Sequence, residues 1–180
     1  MIDPRAFAAS ETLRNGAVVT VRTLRPDDRE RMASAIRGLD RESIYTRLFA
    51  YRELTDSALD RVMRFDPDGE IALVVTTGAG SAETIVGGGR YIVGGGPAGA
   101  RSAEVAFVVE EDWHGLGIAS RVLRHLAAIA RDRGIASFEA DVLAGNRAML
   151  AVFERSRLPV RTRPEGGTVH VTLDLGAAAP

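Results

Sequence analysis

Residues 104–133, EVAFVVEEDWHGLGIASRVLRHLAAIARDR, constrain this chain more than any other stretch. Val105, Ala106, Phe107, Val108 and Val109 form a nearly unbroken apolar run, the pattern of a strand covered on both faces. His114, Gly115, Leu116 and Gly117 follow as a short loop. Beyond it, Ala119, Val122, Leu123, Leu126, Ile129 and Ala130 recur at helical spacing. With a further strand predicted over 136–143, the order is strand, helix, strand, which implies one parallel crossover. A glycine loop entering a helix also leaves the first N–H groups unpaired at the positive end of the dipole. Such a place suits a phosphate or pyrophosphate.

The rest of the chain arranges itself around that unit. Residues 1–16 read as a loose arm ending in a turn at Asn15-Gly16, and 17–24 as a first strand rich in Val and Thr. Arg25-Pro26-Asp27-Asp28 has proline and acids where a helix starts, and that helix runs to about residue 39. Asp40 is placed to cap a second helix over 41–49. Thr55-Asp56 opens a third, with Leu59, Val62 and Met63 as its apolar stripe. Strands follow over 71–76 and 84–93. After the long helix and the strand over 136–143 come a short helix from Asn146 to about residue 155 and a hairpin, 159–163 with 168–173, turning at Glu165-Gly166-Gly167. Three consecutive strands suggest an antiparallel meander. The expected fold is α/β (α+β): a mixed, mostly antiparallel central sheet with helices on both faces. It forms a single domain over 17–175, with an arm at 1–16 and a tail at 176–180.

Composition narrows the function. The 180 residues suit one domain with a sizeable core. No apolar run is long enough to span a membrane, and residues 1–10 lack the basic-then-apolar pattern of a signal peptide, so a cytoplasmic protein without membrane attachment is expected. A net charge of -1 gives no general attraction to nucleic acid. The chain has no cysteine and only three scattered histidines, which leaves no readable metal site, disulfide or thiol nucleophile. All 23 basic residues are arginine. Codon usage in a GC-rich genome explains that most simply; selection against self-modification matters only if the substrate is lysine.

Gly94, Gly96 and Gly99 imitate a dinucleotide-binding fingerprint. That motif needs a helix directly after its glycines. Here Ala100-Arg101-Ser102-Ala103 and then the apolar strand follow, so the run reads as a turn between strands.

The strand, then His114-Gly115-Leu116-Gly117-Ile118-Ala119, then the long helix, resembles the acetyl-CoA-binding motif of the GNAT N-acetyltransferases, usually Gln/Arg-x-x-Gly-x-Gly/Ala. The order of elements over 17–173 resembles the same fold. Leu24-Arg25-Pro26-Asp27-Asp28 and Glu42-Ser43-Ile44-Tyr45-Thr46-Arg47-Leu48-Phe49 look like the bacterial Pat-type protein lysine acetyltransferase branch, as does Asn146-Arg147-Ala148-Met149-Leu150. The resemblance implies a splayed parallel strand pair at the acyl-CoA site. Phe107, Val108 and Val109 would pair through their backbone with the pantetheine arm. N–H groups of Gly115, Leu116, Gly117, Ile118, Ala119 and Ser120 would cradle the pyrophosphate, with His114 in the Gln/Arg position as a phosphate contact. Asn146 would bond the cofactor arm, and Glu104 would be the general base. Tyr45 and Arg47 are acceptor-side candidates. The implied donor is acetyl-CoA, with no metal. The implied acceptor is a protein lysine, such as one on an acyl-CoA synthetase, with a small amine as the alternative.

Each residue has a plainer reading. Glu104 and Asp141 are acids that a solvated sheet edge would also carry; Tyr45 and His125 fit simple helix packing. Two departures from the family pattern stand out. Phe153 occupies the position where many GNAT enzymes carry a tyrosine acid, and Ser156-Arg157-Leu158-Pro159 replaces the usual Gly-Phe.

Overall fold

The computed structural model describes residues 2–38, 56–63, 66, 68–95 and 101–176. Eight strands form one sheet: β1 (Ala8–Thr12), β2 (Val18–Thr23), β3 (Glu70–Thr77), β4 (Thr84–Gly95), β5 (Arg101–Val109), β6 (Ser137–Leu143), β7 (Val160–Glu165) and β8 (Thr168–Asp174). Their order is β1-β2-β3-β4-β5-β6-β8-β7. Every pair is antiparallel except β5 with β6. The helices are α1 (Arg29–Gly38), α2 (Asp56–Met63), α3 (Ile118–Asp132) and α4 (Arg147–Glu154). The mixed, mostly antiparallel α/β fold expected from the sequence is therefore present.

The period-3.6 stripe of α3 explains its place. Val122, Leu126, Ile129 and Ala130 have no exposed surface and pack with Val21, Ile71, Leu73, Val105 and Phe107 on one face of the sheet. Truncating such a leucine costs about 2–5 kcal/mol. Glycines in the middle of β4 let the helix approach this closely: a Cβ at Gly89 would stand 2.7 Å from Phe107 Cδ1 and 2.9 Å from Val122 Cγ1. The opposite face buries Leu24, Ala72, Val74 and Ile85 against Met32 and Ala35 of α1 and Val62 and Met63 of α2.

The stretch expected to be a loose arm contains a strand. Residues 8–12 form β1, an edge strand paired along its length with β2. Its sequence, AASET, lacks the apolar alternation that signals a strand; backbone pairing and a charged cluster hold it instead. Glu11 receives Arg124, His125 at 2.7 Å and Arg121 at 3.3 Å, all from α3. Two further boundaries move. β5 begins at Arg101 rather than Val105, and β4 runs on through Gly94 and Gly95, so part of the glycine run is strand.

A buried ion pair ties the start of α1 to the sheet. Arg22 on β2 is 2% exposed and Asp28 is 0% exposed. The Arg22 guanidinium donates to Asp28 at 2.7 and 2.8 Å and to Glu83 at 3.1 Å. Asp28 also accepts the backbone N–H of Arg25 at 2.8 Å, closing the first turn of the helix. Burial pushes the Asp28 carboxyl up, but Arg22 and the Arg25 N–H outweigh it and hold it below its ordinary range. Glu83 is likewise lowered, first by Arg22. Because both folded values lie below the unfolded ones, this stabilisation is complete above about pH 5 and is lost as pH falls through the depressed values. Asp28→Ala would leave Arg22 buried without its main partner. It is expected to cost about 3–5 kcal/mol, read as a lower urea midpoint, whereas replacing Arg22 and Asp28 together by apolar residues of similar volume should cost much less.

Candidate active site

The parallel pair β5–β6 is short. Ser102 pairs with Ser137, Ala103 with Phe138 and Glu104 with Glu139, and there the pairing stops. Beyond that point β5 stays with β4, Val105 to Tyr91 and on to Val109 with Gly87. Meanwhile β6 stays with β8, Ala140 to Val171 and on to Leu143 with Thr168. The sheet therefore parts after Glu104, leaving two inner strand edges without each other as partners. Backbone polar groups withdrawn from water must find a partner, so this opening suits an extended ligand carrying amides, added like another strand.

A cavity of about 500 Å³ fills the opening. Phe107 and Val109 line it from β5, Ala140 and Val142 from β6, Asn146 and Phe153 from the α4 region. Val108 lies between the two β5 residues, half-buried and paired with Gly88. Phe153 is fully buried and meets Phe107 edge-on, ring centroids 6.1 Å apart, so the aromatic pair forms an apolar wall. Asn146 caps α4: its Oδ1 accepts the Met149 N–H at 3.1 Å.

At one end of the cavity stands the glycine turn. Gly115 and Gly117 have φ of 72° and 89°, the left-handed region that strains any residue with a Cβ. Gly117 is the N-cap of α3 and provides no side-chain cap, so first-turn N–H groups of Ile118, Ala119 and Ser120 remain without helical partners. The Ile118 side chain is buried in the core, which leaves its backbone for the turn. Leu116 packs against the core, and its carbonyl accepts the Arg14 N–H at 3.4 Å. His114 lines the cavity, and its Nε2 lies 2.8 Å from the Val109 carbonyl oxygen, joining the loop to the end of β5.

At the other end is Glu104, exposed, level with Ile92 of β4 and Glu139 of β6. Glu139 accepts His170 Nε2 at 2.9 Å and Thr172 Oγ1 at 2.7 Å; Asp141 accepts His170 Nδ1 at 2.8 Å. With both ring nitrogens facing carboxylates, His170 favours the imidazolium. Asp141 raises its pKa most, and Glu139 adds to this against the opposing effect of burial. Arg90, also lining the cavity, pairs with Glu70 at 3.1 Å.

The structure thus brings Glu104, Phe107, Val109, His114, Gly115, Gly117, Ile118, Ala119, Ser120 and Asn146 to one cavity. Tyr45 and Arg47 lie outside the described residues. Sequence reasoning missed Arg14, which lines the cavity from the β1–β2 turn. No local pattern marks it, because the Gly115 carbonyl it donates to is 101 residues away in the chain. Among the described residues no cluster of His, Asp or Glu is arranged to hold a metal ion.

A short parallel pair that parts beside a glycine turn and a long helix matches the arrangement that the resemblance to the GNAT N-acetyltransferases implies. The chain belongs to the acetyltransferase (GNAT) family, whose model matches residues 38–157. It is 30% identical over 164 residues to Acetyltransferase Pat of Mycolicibacterium smegmatis, covering 91% of this chain and 45% of that protein. It is 32% identical over 154 residues to Acetyltransferase PA5475 of Pseudomonas aeruginosa, covering 80% of each. Among solved structures, the GNAT domain of S. lividans PAT superposes with a TM-score of 0.81 at 34% identity, covering 93% of this chain and 96% of that one. The chain therefore spans less than half of the mycobacterial relative, and it is a GNAT acetyltransferase domain.

Gly117→Glu would place a side chain and a like charge where a phosphate would sit, besides about 1–2 kcal/mol of backbone strain. Loss of measurable CoA binding by calorimetric titration is expected, with circular dichroism confirming a folded variant. Retained affinity would remove the turn from the site.

Proposed function

We propose that this chain transfers an acetyl group from acetyl-CoA to an amine, with a protein lysine as acceptor. The observation that carries the reading is the opening between β5 and β6, which joins the glycine turn to Glu104 through one cavity. Two relatives bearing the Pat name support the lysine acceptor, in line with the Pat-like stretches at 24–28 and 42–49.

In this reading the pantetheine arm lies along β5 against the backbone of Phe107, Val108 and Val109, and the Asn146 amide holds it from the β6 side. The N–H groups of residues 115–120 take the pyrophosphate. A lysine ammonium has a pKa of about 10.4, so roughly one in 2,500 is neutral at pH 7. A base is needed, and Glu104, directly or through water, accepts the proton. The freed amine attacks the thioester carbonyl carbon, and the N–H of Val108 or Val109 polarises the oxygen. The nitrogen gives its second proton to solvent as the C–S bond breaks and CoA leaves. Phe153 offers no proton to the departing sulfur. A thiol pKa of about 8.5 allows it to depart as thiolate and be protonated by solvent. Tyr45 and Arg47 are assigned to the acceptor side by resemblance, an acyl-CoA synthetase is the kind of acceptor protein that resemblance suggests, and the cytoplasm is the proposed compartment. No described helix is long and apolar enough to cross a membrane.

Phe153 also supports a second reading, an acyl-CoA-binding module without turnover. Thiol release from acetyl-CoA with protein and small-amine acceptors separates the two: binding without release under any acceptor favours the module, and release with small amines alone would replace the lysine assignment.

Glu104→Gln should leave CoA affinity within about threefold and lower kcat/KM about 10²-fold or more. Unchanged turnover would remove Glu104 from the mechanism.

A further inference from the structure

The turn between β5 and α3 is held from the far end of the chain. Arg14, in the turn between β1 and β2, donates its backbone N–H to Leu116 O at 3.4 Å and its Nη1 to Gly115 O at 3.2 Å. Its Nε lies 3.7 Å from the point a Cβ would occupy at Gly117. The exposed guanidinium therefore rests against the loop and lines the same cavity as Gly115, Gly117 and Ser120.

The neighbouring cations are committed elsewhere. Glu11 gathers Arg121, Arg124 and His125. Arg121 also donates to Gly117 O at 3.1 Å and to Thr12 O, strapping β1 to the helix. His114 is engaged with the Val109 carbonyl. Arg14 differs: among the described residues no carboxylate lies within ion-pair distance of it. A guanidinium has five N–H donors in a planar fork. Here one is spent on a carbonyl of the same loop that lines the cavity.

We infer that Arg14 is a direct ligand of the diphosphate of the acyl-CoA substrate, an assignment that rests on the function proposed above. The charge balance favours it. Each phosphate of the diphosphate carries one negative charge, while a helix N-terminus supplies the equivalent of roughly half a positive charge. Arg14 adds a full, permanent charge and a fork that matches phosphate oxygens. The β1–β2 hairpin thereby becomes part of the substrate site, not only an edge of the sheet.

The test titrates the full chain with CoA, 3′-dephospho-CoA and pantetheine. Arg14→Ala should weaken CoA and 3′-dephospho-CoA alike, by about tenfold or more. Pantetheine binding should stay within about twofold, and the dependence of CoA affinity on salt should flatten, because an ionic contact is gone. Arg14→Lys should recover part of the loss. Weakening confined to CoA would put the contact on the 3′-phosphate and overturn the diphosphate assignment. Equal weakening of pantetheine, or an unchanged salt dependence, would make Arg14 a brace of the loop and overturn it too. Wild-type protein that binds no CoA would overturn the underlying function, a result visible before any variant is made.

Discussion

The structure depends on a limit to backbone pairing. β5 and β6 share three residue pairs and then part, while each keeps the neighbour on its outer edge, β4 for one and β8 for the other. Past Glu104 and Glu139 the outer edges stay satisfied and only the two inner edges lack a strand partner. Leaving a buried donor or acceptor unsatisfied costs about 1–3 kcal/mol each. The parted edges are therefore either hydrated or met by a ligand that presents amides at strand spacing. The edge-on pair Phe107–Phe153 props the wall of the opening with apolar surface, so that the polar demand of the site is concentrated in the backbone.

The two ends of this opening carry opposite electrostatics. At the α3 end, glycines with positive φ, unpaired N–H groups and Arg14 favour an anion. At the other, Glu104, Glu139 and Asp141 form an acidic border in which His170 links two of the three carboxylates. A cation approaching from the acid side and an anion lodged at the helix side would meet through the middle of the sheet. That polarity suits a reaction between an amine that must lose a proton and a thioester attached to a diphosphate, and it arises from elements that are not neighbours in sequence.

Much of this was legible in the sequence because periodicity reports burial. The stripe from Val122 to Ala130 and the alternation around Phe138 and Val142 placed α3 and β6 correctly, since those residues do face the core. The apolar run at 105–109 has the pattern of a strand covered on both faces; Val105 and Phe107 are buried, whereas Ala106 and Val108 are only half-buried. β1 was invisible because AASET has no apolar side to bury; it is held by backbone pairing and by the cations around Glu11, interactions that leave no local pattern. The beginning of β5 was missed for a similar reason, since Arg101-Ser102-Ala103-Glu104 reads as a polar linker. Arg14 followed from neither composition nor motif, because its meaning lies in a contact with Gly115.

The same electrostatic framework explains why arginine, and not lysine, is consequential in this chain. Arg22 holds α1 to the sheet and Arg121 holds β1 to α3, while Arg14 donates to the Gly115 carbonyl in the glycine turn. Each contact uses a positive charge, and those of Arg22 and Arg121 use more than one donor of a planar fork. Acetylation would neutralise a lysine at any of these positions and remove an ion-pair donor. A guanidinium remains protonated, with a pKa above about 12, and is not an acyl acceptor under the conditions that deprotonate lysine. Whatever drove the composition, its physical result is that a chain built to present a thioester to amines has no internal amine of its own, and the ion pairs that shape its site are inert to the chemistry of that site.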